Sequence, residues 1–248
     1  MVLGMAFVYE SASFVAGLMP WSGRARHAVC DRMRVTRVVD DRRERLELRK
    51  WLDAEIRVLD EADQEVGMLT VLEDACRGLS GEGRRAVVLV VVRHYGCPLC
   101  EQLLRSVKAE LEDLDGVTLL VLGSGTPKQA RIVKDVVKFP GRILSDPERR
   151  AYRALGMRAG VWTTFNADGL QSAIQSVQSG NRIRLELIPT DPFQQGGMLV
   201  LDDTARVALL HQDEFAGDHV NMAVMRKVVD ALRNELEDVD AMKLSSES

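Results

Sequence analysis

Cys97 and Cys100 form a C-x-x-C that follows the run VVVRHYG, and a thiol pair at this spacing suits either dithiol redox chemistry or half of a metal site. Pro98, between them, has a fixed φ and no N–H, which fits the first position of a helix and makes Cys97 the N-cap. A sulfur at that position faces the unpaired N–H groups of the first turn and the positive end of the helix dipole, and both favour thiolate over thiol. Cys100 shares the same helix face, with its sulfur inside the first turn and better covered. It is placed to resolve a mixed disulfide formed at Cys97. Arg93 and His94 precede the motif and add positive potential.

A zinc site needs a second pair of ligands, and the chain supplies none at suitable spacing. Cys30 and Cys76 are far apart in sequence, and His211 and His219 do not make a ligand pair with the motif. No metal or prosthetic group is therefore expected. GSGTPK lacks the spacing of a phosphate loop and reads as a strand-to-helix turn, and Ser124 does not lie in G-x-S-x-G. Trp162 and Phe165 read as core anchors of a long loop. His219, in GDHVN, reads as a helix-start residue satisfied by its neighbours.

The elements that must position the cysteines can be read from apolar periodicity. Residues 86–92 (AVVLVVV) are a continuous β-branched run, as a central strand covered on both faces requires. A helix should run from Cys97 to about Leu114, with Leu99, Leu103, Leu104, Val107 and Leu111 on one side. Strand 117–122, helix 128–138 and a short strand in RILS follow. A helix is expected to begin at Asp146-Pro147 and end at Gly156. Earlier in the chain, strands at 56–59 and 67–69 flank DEADQE, and helix 70–79 places Leu72, Ala75, Cys76 and Leu79 on one stripe. Cys76 is then a buried small apolar residue. Residues 157–195, rich in Gly, Gln, Asn and Ser, read as an irregular insertion. Strands 198–201 and 207–211 surround DDTA, and an amphipathic helix over 221–237 closes the domain.

Alternating strands and helices predict an α/β layer structure with parallel crossovers. The 248 residues are 46% hydrophobic and 28% charged, with a net charge of −4, so a full core can form and no overall field gathers nucleic acid. Four cysteines are too few for a disulfide-stapled secreted domain, which favours a reducing, cytoplasmic setting. The apolar start MVLGMAFVYESASFVAGLMP has no basic n-region and is interrupted by Glu10, so it does not read as a cleaved signal, and no segment reads as an integral membrane span. The Arg-rich residues 24–50 read as a solvated helix with i,i+4 pairs.

Taken together, VVVRHYGCPLC, LLVLGSG, FPGRILSDPERRAYRALGM, QQGGMLVL and HQDEFAGDHVN resemble the peroxiredoxin-like 2 branch of the alkyl hydroperoxide reductase and thiol-specific antioxidant group. The resemblance covers about residues 55–235. It implies a thioredoxin-like fold with a central mixed sheet and helices on both faces, and an antioxidant or redox-regulatory role; one relative in the group reduces a prostaglandin endoperoxide. It places the redox motif on Cys97 and Cys100. Peroxiredoxins carry Pro-x-x-x-Thr-x-x-Cys and a peroxide-polarising arginine; here Val90 and His94 occupy the Pro and Thr positions when Cys97 is matched, or Arg93 and Cys97 when Cys100 is. The arginine reads as Gly196, and the thioredoxin clamp proline would also fall near Gly196, with Pro192 too early.

These readings combine into one domain over residues 51–240, an N-terminal helical extension over 1–50, an insertion at 157–195 and a flexible tail at 241–248. The expected activity is thiol-dependent reduction of a peroxide, an endoperoxide or a protein disulfide, with thioredoxin or glutathione as the external reductant. The competing class is a redox-sensing or partner-binding protein on the same scaffold.

Overall fold

The computed structural model describes residues 37–39, 46–78, 86–160, 167–188 and 192–246. The apolar N-terminal segment, Cys30, Leu79, Trp162 and Phe165 lie outside the described residues.

The sheet is built around β5 (Ala86–Val91), whose six residues are all buried. Parallel pairing joins it to β6 (Val117–Gly123), and β6 in turn to β7 (Arg142–Ser145). On the other side, β8 (Gly197–Leu201) runs antiparallel to β5, and β9 (Arg206–Gln212) antiparallel to β8. A hairpin of β3 (Arg57–Leu59) and β4 (Glu65–Gly67) extends the β7 edge. The opposite edge is closed by β1 (Arg37–Val38) and β2 (Leu46–Glu47), both antiparallel to β9. This is a thioredoxin-like α/β fold with a mixed sheet and helices on both faces.

Because side chains alternate along a strand, Val88, Val90 and Val92 enter one core layer. That layer also holds the apolar faces of α2 (Pro98–Leu111), α3 (Pro127–Val137) and the C-terminal helix. Val87, Leu89 and Val91 are equally buried on the opposite face, where α1 (Met68–Arg77) packs with Leu72 and Cys76 covered. The GSGT turn leads from β6 into α3 as expected. Thr126 and Gln129 form a reciprocal capping box. Gly123 and Gly125 lack side chains because the Tyr95 ring occupies that space.

Several expected boundaries change. The short helix α4 (Arg150–Ala154) starts after Asp146-Pro147, because the Asp146 carboxylate accepts the N–H groups of Arg150 at 3.1 Å and Ala151 at 2.8 Å from a preceding turn. Tyr152 of α4 donates its hydroxyl to the carbonyl of Val92 at the end of β5. Within the expected irregular insertion lies α5 (Ala167–Gln178), followed by a 3₁₀ turn at Leu185–Leu187. Leu170, Ala173, Ile174 and Val177 recur at helical spacing in that segment, a signal diluted by its Gln and Ser content. Residues 37–38 and 46–47, expected in a helix, are edge strands, and Val39 and Leu48 are buried. The C-terminal helix α6 (Met222–Ser246) continues past Glu237 through the segment expected to be a tail. Among the described residues no helix is long and apolar enough to cross a membrane.

Candidate functional site

Cys97 is the N-cap of α2, with extended backbone angles (φ −83°, ψ 124°) and Pro98 in the first turn. Its carbonyl accepts the N–H of Glu101 at 3.1 Å and so opens the helix. The backbone N–H of Cys100, in the first turn, favours the thiolate as the helix-start position predicts, and side chains add to this. Arg93 Nη1 donates to Cys97 Sγ at 3.5 Å. The same guanidinium is clamped from behind, donating Nε to the Gln194 carbonyl at 3.2 Å and Nη2 to the Pro192 carbonyl at 3.1 Å. Pro192, too early in sequence to act as a thioredoxin clamp, thus helps to aim the arginine at the sulfur.

The two cysteines are free and buried, Cys97 at 4% and Cys100 at 2% relative exposure. They split in acidity. A hydrogen bond from the Cys100 thiol pulls Cys97 well below the ordinary thiol range against the opposing effect of burial, and Arg93 adds to the pull. Cys100 is pushed well above that range, first by serving as the donor in that bond and then by burial. The result is one thiolate and one thiol in adjacent turns, which is the poise that dithiol exchange requires. Cys76 is distant from this pair; burial pushes its thiol up to about 12, and it packs as the expected apolar residue.

His94 differs from expectation. Burial pulls its imidazole down to about 4, so it is neutral at neutral pH, and Arg93 carries the lasting positive charge beside Cys97. Its Nδ1 has no hydrogen-bond partner among the described residues.

The insertion covers the dithiol. Arg184 donates its backbone N–H to the Gly96 carbonyl at 3.2 Å, and any side chain at Gly96 would collide with the Arg184 carbonyl and Ile188. Ser176 of α5 donates to the Pro98 carbonyl at 3.1 Å, and Arg184 Nε lies 3.5 Å from Glu101 Oε2. Residues that the sequence separates by some eighty positions therefore form the wall over the redox motif.

Gly196, where the resemblance would place an arginine, immediately precedes β8. A Cβ there would collide with the Val91 carbonyl oxygen and reach to 3.3 Å from Asp213 Oδ2. The backbone of β5 thus leaves no room for a side chain at this position.

The connection from β9 to α6 sets two histidines against a buried carboxylate. His219 is not at the helix start: Asn221 occupies that place, its side chain accepting the N–H of Ala223 at 2.9 Å. His219 Nδ1 lies 3.4 Å from Oδ2 of the buried Asp213, and His211 Nε2 lies 3.3 Å from Oδ1.

Residues 103–214 match the family described as AhpC/TSA antioxidant enzyme. That match begins just after Cys100. The chain is 30% identical over 143 residues to the thioredoxin-like protein AAED1, chloroplastic, of Arabidopsis thaliana, covering 54% of this chain and 58% of that protein. It is 32% identical over 147 residues to mouse (Mus musculus) peroxiredoxin-like 2C, covering 55% and 64%. To the prostamide/prostaglandin F synthase of Aquarana catesbeiana it is 25% identical over 142 residues, covering 50% and 63%. The chain spans about three fifths of the length of the curated relatives it matches. A mixed sheet around β5, a helix leaving it at the cysteine pair, and these matches agree, and the chain is similar to peroxiredoxin-like proteins of the AhpC/TSA group.

Proposed function

We propose that this protein is a cytoplasmic thiol-dependent reductase in which Cys97 attacks an O–O or S–S bond, Cys100 closes an intramolecular disulfide, and an external dithiol restores both sulfurs. The observation that carries the reading is the split pair at the start of α2: Cys97 drawn toward thiolate by the Cys100 thiol and by Arg93 at 3.5 Å, with a protonated resolving thiol one turn away. Attack on a hydroperoxide leaves a sulfenic acid on Cys97, and condensation with Cys100 releases water. Thioredoxin or glutathione is the reductant proposed, and a peroxide, endoperoxide or protein disulfide the substrate. With Gly196 in place of the peroxide-polarising arginine, hydrogen peroxide turnover should fall far below the ceiling of ~10⁸ M⁻¹s⁻¹ reached by diffusion-limited enzymes.

The test is to titrate the reduced protein, Cys97→Ser and Cys100→Ser with hydroperoxide and with an oxidised disulfide, map the products by non-reducing peptide analysis, and follow recovery with thioredoxin and its reductase or with glutathione. The expected product is a Cys97–Cys100 disulfide, lost in both variants. A dominant crosslink through Cys30 or Cys76 would refute the scheme.

A second reading is a redox sensor or partner-binding protein. It is favoured by the burial of both sulfurs beneath the insertion and by the exposure of Ile174, Val177, Ile183 and Leu185 on that insertion. Oxidation of the pair without catalytic turnover would select it.

A further inference from the structure

Both sulfurs of the dithiol are buried, yet the segment that covers them is thinly attached. Along residues 174–188 of the insertion only Ser176, Asn181 and Leu187 are buried, while Ile174, Val177, Ile183 and Leu185 turn outward. An element that buries so little of itself belongs to the low-stability end of a fold, where local opening costs least. The segment is nevertheless tied to itself. Asn181 donates both its backbone N–H and its side-chain amide to the Ser176 carbonyl at 3.2 Å, which closes the end of α5, and Ile188 donates its N–H to the Leu185 carbonyl at 3.2 Å. It can therefore move as one piece.

Its attachments to the rest of the chain fall around Cys97. The Ser176 hydroxyl and the backbone N–H of Arg184 bond the carbonyls of the residues on either side of that cysteine, Pro98 and Gly96. Gln129 Nε2 donates to the Glu186 carbonyl at 3.4 Å. Leu187 is the apolar anchor, 1% exposed and in the same core cluster as Cys97, Leu99 and Cys100. Arg184 Nε stands 3.5 Å from Glu101 Oε2 and, though buried, makes no hydrogen bond among the described residues. The base of the insertion is held differently. Ala159 pairs with Gln194 in an antiparallel bridge, Gly160 donates its N–H to the Phe193 carbonyl at 3.0 Å, and Gln195 donates to the Arg158 carbonyl at 2.8 Å. The Gln194 carbonyl that holds Arg93 belongs to this neck, so lifting the outer segment leaves the arginine aimed at Cys97.

We propose that residues 167–188 are a lid on a fixed neck, and that Ser176 and Leu187, which seat it, determine by size what reaches Cys97. Closed, the lid passes small molecules to the 4% of Cys97 that remains exposed. Protein-sized partners reach the sulfur only after it lifts. A protein thiol that bonds Cys97 must bring its sulfur to ~2.05 Å, and its backbone then needs the space above Gly96 and Pro98. The lid fills that space: a Cβ on Gly96 would collide with the Arg184 carbonyl and Ile188, and Ser176 lies on the Pro98 carbonyl. Ser176 and Leu187 act by positioning the cover and take no part in the chemistry at the sulfur. The lid goes beyond the dithiol reading and does not depend on it, because alkylation reports access to Cys97 whether or not the pair cycles.

The experiment uses the full-length chain carrying Cys30→Ser and Cys76→Ser, with Cys97 as the thiolate that reacts at neutral pH, and compares N-ethylmaleimide with a maleimide carried on a polyethylene glycol chain of protein size. Each rate is divided by that of the same reagent on the chain unfolded in urea. The large reagent should be slowed far more than the small one. Ser176→Ala removes one hydrogen bond from the closed lid and should speed the large reagent by about 2–12-fold. Leu187→Ala removes the buried anchor and should speed it by about thirtyfold or more. N-ethylmaleimide should change much less in both variants. Leu72→Ala, buried on the opposite face of the sheet, weakens the whole fold without touching the lid and should leave both rates as they were; urea midpoints check that every variant is folded. Equal slowing of the two reagents, or no gain in Ser176→Ala and Leu187→Ala beyond that in Leu72→Ala, would overturn the lid. Failure of the unaltered chain to form the Cys97–Cys100 disulfide would refute the dithiol reading and leave the lid standing.

Discussion

Replacing Arg93 should expose how much of the Cys97 thiolate depends on one buried cation. The Cys100 thiol is the larger influence on that sulfur, and Arg93, with Nη1 at 3.5 Å, is the nearest full charge shown to bond it. At the effective dielectric constant of about 20 that suits protein sites, two unit charges at that separation interact by about 5 kcal/mol. Spread over the guanidinium and shared with two carbonyls, the attraction falls toward the 1–3 pKa units typical of an adjacent opposite charge, or about 1.4–4 kcal/mol. Arg93→Met should therefore raise the thiolate pKa of Cys97 by about 1–3 units, read from the thiolate absorbance near ~240 nm in a Cys30, Cys76 and Cys100 triple-serine background, with Arg93 retained in the control. A thiolate of higher pKa is also a better nucleophile, with a Brønsted slope of about 0.4–0.5. The variant should alkylate more slowly than its control at pH 6 and about 3–30-fold faster once both are fully ionised. This crossing of the two pH profiles is the signature of a charge effect. Arg93→Met also strands the Pro192 and Gln194 carbonyls, so Arg93→Lys, which keeps the charge, separates the roles: it should recover most of the pKa without recovering the stability. A Cys97 pKa that moves by less than about 0.3 units in Arg93→Met would refute the electrostatic argument.

Gly196→Ala should destabilise the fold by about 1–3 kcal/mol, the usual cost of overpacking, because the new Cβ meets the Val91 carbonyl oxygen; urea unfolding midpoints at constant m-value check it. His94→Asn should remove an acid sensitivity. The folded-state pKa of His94 is about 4, below the unfolded ~6.5, so the unfolded chain binds the extra proton. Stability is then full above about 6.5 and is lost as pH falls toward about 4, by about 3 kcal/mol for a shift of this size. The unfolding free energy of wild type relative to His94→Asn should fall by about 3 kcal/mol as pH drops through that window, and a constant difference would show that the imidazole is not held neutral.

The composition of residues 86–92 was sufficient to identify the central strand, since an unbroken β-branched run can satisfy its side chains only when covered on both faces. Cys97, Pro98 and Cys100 were legible for the same local reason: a helix start is written in the residues that form it. The apolar faces of α2 and α3 followed from 3.6-residue periodicity, and the turns at GSGT and DDTA from their residue types. Long-range consequences were not legible. That Arg93 points at Cys97 depends on two carbonyls a hundred positions later, and that His94 is neutral depends on how deeply the completed fold buries it. The edge strands at 37–38 and 46–47 exist because β9 offers unpaired backbone groups to a segment whose charges alone suggested a helix. α5 packs on the start of α2 and covers the thiols through contacts that no local pattern encodes. His219 read as a helix-start residue, and the fold sets it instead against the buried carboxylate of Asp213. Local chain chemistry determines which elements form and which sulfur caps a helix, whereas burial and the charge on each group are sums over neighbours that only the tertiary structure assembles.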